Sequence, residues 1–131
     1  MKPSLNSIQA AEFRESYQIQ SGTNGRQKQK DLIDEEWIEF HDAHYHEPLD
    51  HVLKELADLV YVCYQYAANE GWDLDEALDR VHQSNMSKLD ENGQPIYRAD
   101  GKVLKGPNYV PPDMASCVPD VTPKHYDTNG K

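Results

Sequence analysis

The sequence predicts an all-α protein, a core of four helices followed by an irregular C-terminal arm. Three observations carry that prediction. Apolar residues recur at helical spacing in four stretches, a Gly- or Pro-containing break closes the first three, and beyond Leu89 the periodicity gives way to paired turn signals. A chain of 131 residues, 37% hydrophobic, suits one domain over 1–131, with its helical core at about 7–89 and a turn-rich tail over 90–131.

The first helix is expected from Ser7 to Gln20, with Ala10, Phe13 and Tyr17 on one face, ending at the loop Ser21-Gly22-Thr23-Asn24-Gly25. The second runs from about Arg26 to Asp42, where His44-Tyr45-His46-Glu47-Pro48 breaks it. The third, from about Asp50 to Glu70, stops at Gly71, a C-terminal cap. The fourth takes Asp73 as N-cap, with Glu76 three residues on, and reaches Leu89. Asn92-Gly93 and Asp100-Gly101 then flank Pro95-Ile96-Tyr97-Arg98, either a short hairpin or two turns of a clasping loop. From Gly106 to Lys131, five prolines, two glycines and little periodicity read as an arm.

Composition narrows the function. Thirteen Lys and Arg against 23 Asp and Glu leave a net charge of −10, which repels phosphate backbones and argues against a general nucleic-acid binder. No apolar run approaches a bilayer span, and the N-terminus lacks the apolar core of a secretory signal, so a soluble cytoplasmic protein without a membrane partner is expected. Cys63 and Cys117 alone make neither a disulfide framework nor a four-ligand zinc site. The charge is also unevenly placed. From Asp31 to Asp58 ten carboxylates face one base, Lys54, whereas Lys88 to Lys105 holds four bases and three acids.

Where the acids fall around each helix is more informative. At about 100° per residue, Glu36 lies inside the apolar arc of Leu32, Ile33, Trp37 and Phe40, with Glu39 on its edge and Glu35 outside. The third helix is apolar nearly all round. Glu55 falls between Val62 and Tyr66, and Asp58 borders a thin polar stripe of Lys54, Gln65 and Asn69. One i, i+3 acid pair usually belongs to a solvated face. Two such pairs near a core need compensating cations, and a hard divalent ion such as Mg²⁺ takes oxygen ligands of this kind. On the fourth helix Asn85 and Lys88 fall in the arc of Leu74, Ala77, Leu78, Val81 and Leu89. An inward lysine and amide suit a phosphate oxygen and a sugar or base edge, against the plainer readings of a core amide and a snorkelling lysine.

Glu36-Trp37-Ile38-Glu39 followed by Glu55-Leu56-Ala57-Asp58, with Glu35 completing an E-E-x-x-E form, resembles the MazG-like all-α NTP pyrophosphohydrolases. Ser84-Asn85-Met86-Ser87-Lys88 and Lys105-Gly106-Pro107-Asn108-Tyr109 look like the phage and bacterial branch, and the likeness extends over roughly residues 8 to 114. Within that branch the chain is most similar to (d)GTP-cutting members. The resemblance implies a four-helix-bundle core and an enzyme that cuts a (d)NTP, dGTP or GTP by preference, into monophosphate and pyrophosphate. It implies that Glu36, Glu39, Glu55 and Asp58 bind two or more Mg²⁺ ions, with Mn²⁺ able to substitute, and that Glu35 or Glu39 orients or deprotonates the attacking water. Lys88, Lys102 and Lys105 would hold phosphates. It also implies a homo-oligomer, a dimer or tetramer, in a bacterial host cytoplasm if the chain is phage-encoded.

For a purine, Trp37, Tyr61 and Tyr109 are candidate walls and Asn85 a candidate reader of base or sugar. Two other readings compete. His41-Asp42 suggests an HD-type phosphohydrolase, but further ligand positions at helical spacing are lacking, and a helical oligomer that binds a nucleotide without cutting it would release no pyrophosphate. His41, His44, His46 and His51 read as a solvated loop more readily than as a transition-metal site.

Overall fold

The chain's α1 starts where a serine caps it. A computed structural model describes residues 2–118, with helices α1 (Leu5–Ser16), α2 (Thr23–His46), α3 (Leu49–Glu70) and α4 (Leu74–Met86) and a 3₁₀ turn at Ala115–Cys117. The expected tail beyond Val118 lies outside the described residues. The fold is all-α, as the periodicity predicts. Among the described residues the sole β pairing is an isolated bridge between Tyr97 and Val103, and no helix is long and apolar enough to cross a membrane. The chain forms two compact units, Met1–Asp75 and Glu76–Lys131.

In the first unit, Ser4 Oγ accepts the Ser7 N–H (3.1 Å), so α1 begins two residues before the apolar periodicity suggests. It also ends earlier than Gln20. Gln18 turns left-handed at φ 54°, and the amides of Gln18 and Ile19 close back on the carbonyls of Glu15 and Arg14. Gly71 ends α3 in the same way at φ 76°, with Gly71 and Trp72 bonding to Ala68 and Ala67.

The α2 helix departs most from expectation, continuing through His44, Tyr45 and His46. Histidine and tyrosine do not break helices, and Trp37, His41 and Tyr45 stack ring on ring at i, i+4 spacing, 5.1 and 5.0 Å between centroids. Pro48 is the effective stop. It forces Glu47 into extended backbone, and α3 starts at once. The two-residue link makes α2 and α3 an antiparallel hairpin, while α1 packs on α3.

The far end of the hairpin is clamped by polar groups. Arg14 is buried and donates to Gln65 Oε1 (3.2 Å), Asn69 Oδ1 (3.0 Å), the Gln20 carbonyl (3.3 Å) and Ser21 Oγ (3.2 Å). Asn69 donates to the Gly22 carbonyl and accepts nothing bulkier than glycine beside it: a Cβ on Gly25 would stand 2.5 Å from Asn69 Oδ1. Arg26 and Glu70 pair at 2.7 Å. Gln65 and Asn69 are therefore a buried network, while Lys54, placed in the same stripe by periodicity, is exposed.

Asp75 closes the unit. Its carboxylate accepts the Ser4 amide (2.9 Å), the hydroxyls of Ser4 (2.8 Å) and Ser7 (2.6 Å), and the Tyr64 hydroxyl (3.1 Å). Burial pushes this carboxyl up, but the bonds from Ser4, Ser7 and Tyr64 outweigh it and hold it down at about 2, below the ordinary 3.8. A depressed carboxylate stabilises the fold above the unfolded value, and the contribution disappears as pH falls through the folded one. Asp75→Asn is expected to cost about 1–3 kcal/mol at neutral pH. In urea melts, its difference from the parent should shrink as pH drops from above 3.8 toward 2. A difference independent of pH would show that the charge does not carry this clasp.

Candidate metal centre

The hairpin register set by Pro48 brings the acids of α2 and α3 together. Glu36, Glu55 and Asp58 each offer a carboxylate oxygen within 4.8 Å of the others, and Glu35, Glu36 and Glu39 do the same on α2 alone. Glu36 belongs to both groups. Glu36, Glu55 and Asp58 are half-buried, whereas Glu35 and Glu39 are exposed at the edge. The set of four expected from sequence is thus joined by Glu35.

Two of these oxygens stand out. Glu36 Oε1 and Glu55 Oε1 are buried without a hydrogen-bond partner, an arrangement that costs free energy unless a cation meets them. Gln29 Oε1, two turns before Glu36 on the same face of α2, is likewise buried and unpartnered. Periodicity could have flagged Gln29, since it falls in the Glu36 arc. Its neutrality hid it from a search for charge.

The local cation is Lys54, whose Nζ lies 2.7 Å from Asp58 Oδ2 and 3.6 Å from Glu55 Oε2. Its direct ion pairs are with the α3 carboxylates, and its charge also reaches Glu39 across the hairpin. Burial, then the charges of Glu39, Asp58, Glu55 and Glu35, push the Glu36 carboxyl above its ordinary value. Partial burial, then Glu55 and Glu35, raise Glu39 as well, against the opposing pull of Lys54. An all-oxygen donor set with unpartnered, mutually repelling carboxylates fits a hard divalent cation such as Mg²⁺, Mn²⁺ or Ca²⁺. Neither group contains a histidine. His41 and Asp42 are 3.8 Å apart on the exposed outer face, and His51 pairs with Glu47.

The family model for phosphoribosyl-ATP pyrophosphohydrolase matches residues 5–85, well over half the chain and all five clustered acids. The chain belongs to this family. It is therefore a member of the MazG-like all-α nucleotide pyrophosphohydrolases, hydrolases that generally depend on divalent metal. No curated protein gives a significant match.

The remaining sequence-predicted site residues fall in both units. Trp37 is 52% exposed beside His41. Tyr61 packs on the α1 side of α3, edge-on to Phe13 at 5.7 Å and lining a groove of about 430 Å³ with Asn6, Gln9, Leu53 and Val60.

In the second unit the Ser-Asn-Met-Ser-Lys run divides its labour. Ser84 donates to the Val110 carbonyl (2.7 Å) and Ser87 accepts the Val110 amide (2.9 Å), tying the 105–113 segment to the end of α4. Asn85 is exposed and Lys88 half-buried; of the arc they were placed in, Leu74, Ala77 and Leu89 are half-buried and Leu78 and Val81 exposed. Helix α4 stops at Met86, short of Leu89, and Ser87 and Lys88 form a turn. Lys102 lies in a hairpin where Arg98 and Gly101 turn the chain. Lys105 sits 4.8 Å over the Tyr109 ring.

The raised Glu36 carboxyl has a consequence for stability. The folded state holds this proton more tightly than the unfolded chain, so stability falls as pH rises from 4.5 through the higher folded value. At neutral pH and in EDTA, Glu36→Gln is expected to melt above the parent by roughly 2–6 °C, with the gap closing below pH 4.5. A variant that melts at or below the parent temperature would contradict an uncompensated charge at Glu36.

Proposed function

We propose that the protein is a magnesium-dependent nucleoside triphosphate pyrophosphohydrolase that converts a (d)NTP, preferably dGTP or GTP, to the monophosphate and pyrophosphate. The observation that carries this reading is the pair of buried, unpartnered oxygens, Glu36 Oε1 and Glu55 Oε1, inside a carboxylate cluster wholly within the family match.

Glu36, Glu39, Glu55 and Asp58 would hold Mg²⁺ or Mn²⁺, with Glu35 beside them. Bound metal supplies an acidified water and neutralises charge on the departing pyrophosphate. Glu39 or Glu35 would orient the attacking water or take up its proton. Both are exposed at the rim of the cluster, where water reaches them. Lys88, Lys102 and Lys105 are the proposed phosphate holders. Asn85 would hold the base or sugar, and Trp37, Tyr61 and Tyr109 are the proposed aromatic contacts for a purine. The guanine preference rests on the resemblance to (d)GTP-cutting enzymes.

A second substrate has an observation in its favour. The matching family model is that of phosphoribosyl-ATP pyrophosphohydrolase, and cleavage of phosphoribosyl-ATP to its monophosphate asks the same work of the same carboxylates.

Pyrophosphate release from the common NTPs and dNTPs and from phosphoribosyl-ATP, with Mg²⁺ and with EDTA, separates these readings. dGTP is expected to lead and EDTA to abolish the signal. A kcat/KM tenfold higher for dATP or a pyrimidine would overturn the guanine assignment. Turnover of phosphoribosyl-ATP alone would overturn the triphosphate class, and no pyrophosphate from any substrate would overturn the enzyme itself. Glu36→Gln and Glu55→Gln should each lower turnover by on the order of a hundredfold or more.

The assembly is proposed to be a homodimer or tetramer. Leu53, Leu56 and Val60 of α3 are 67, 42 and 44% exposed on the groove side, a patch that suits a second copy. Light scattering at micromolar concentration is expected to give a multiple of 15.0 kDa. A monomer would remove this reading.

A further inference from the structure

Lys54 occupies a position that the metal reading alone does not require. It is the one base among the ten carboxylates from Asp31 to Asp58. Its ammonium lies 2.7 Å from Asp58 and 3.6 Å from Glu55, yet its side chain is 64% exposed. Its direct ion pairs are with the α3 acids, while Glu39 on α2 feels its charge only at longer range, and Glu36 links the two groups.

We propose that Lys54 is a tethered counter-ion that competes with a divalent cation for Asp58 and Glu55, so that the two carboxylate groups take up metal unequally. This rests on the metal-centre reading above. An ammonium 2.7 Å from Asp58 Oδ2 and 3.6 Å from Glu55 Oε2 neutralises part of the charge that a metal would meet on the same two carboxylates, and both cations cannot share one carboxylate at full strength. The exposed, flexible stem lets the ammonium leave into water at little desolvation cost. The Glu35, Glu36 and Glu39 group then fills first, and the Glu36, Glu55 and Asp58 group fills only as Lys54 gives way. Lys54 thereby keeps the α3 carboxylates together before metal arrives, and makes metal uptake weaker than five acids alone would give.

The test is calorimetric titration of the full chain with Mn²⁺ alone, without nucleotide, comparing the parent with Lys54→Met and Lys54→Arg. Exposed ion pairs of this kind set the scale of the effect. Lys54→Met is expected to tighten the weaker step by roughly two- to fivefold, and Lys54→Arg to stay near the parent. Thermal unfolding supplies a second readout. Lys54→Met should melt below the parent in EDTA and match it in saturating Mn²⁺. Unchanged or weaker Mn²⁺ binding by Lys54→Met would overturn the competition, as would a melting difference that metal leaves intact. A parent that takes up no Mn²⁺ would instead overturn the metal centre, and this proposal with it.

Discussion

Repulsion among carboxylates is the constraint on which the first unit depends. Five acids on two neighbouring helices, with two oxygens buried and unpartnered and one exposed ammonium beside them, push α2 and α3 apart. A pair of helices held only at that point would separate. The hairpin is instead fixed at both ends. The link through Glu47 and Pro48 leaves no slack at one end, and Arg26, Glu70, Asn69 and Gly22 tie the other. Strain at the middle is carried by restraint outside it.

The restraint is largely polar, in keeping with a bundle that has few buried apolar side chains: Ala10, Ala43, Tyr64 and Ala67 among the described residues. Arg14 does what a large apolar residue would do elsewhere. Burial lowers its tendency to stay charged, but four acceptors on α3 and the following loop receive its donors. Such a network is directional, so it sets register as well as proximity. One turn of slip between α2 and α3 would separate Asn69 from Gly22 and Gly25 and would also move Glu36 off Glu55 and Asp58. The polar clamp and the carboxylate cluster are thus two readouts of one register.

Much of this was legible in the sequence, and the failures have identifiable causes. Periodicity found four helices because apolar spacing is a direct consequence of 3.6 residues per turn, and it put Glu36 inward for the same reason. It misjudged α2, because a run of histidines resembles a loop in composition while lacking any residue that breaks a helix. Pro48 was the real punctuation. Gln65 and Asn69 read only as a thin polar stripe because a helical wheel sees only one helix. Their burial depends on Arg14, more than fifty positions away in the chain. Glu35 joins the cluster although the wheel sets it outside, since a long exposed side chain can reach back around a helix edge.

The second unit shows why a motif need not be a set of ligands. Ser84 and Ser87 read, with Asn85 and Lys88, as one functional run, yet the serines spend their hydroxyls on the backbone of Val110. A Cβ on Gly106 would collide with the carbonyls of Lys88 and Leu89, so glycine there permits close passage of the following segment rather than a special turn. What holds the segment also decides what it can offer. Besides Lys102 in the hairpin, and with Ser84, Ser87 and Gly106 occupied in docking, three groups remain at this junction to meet a ligand: Asn85 and Lys88 at the helix end and Lys105 over Tyr109. All three sit on one local scaffold, so a substitution at Gly106 would disturb them together although glycine touches no ligand.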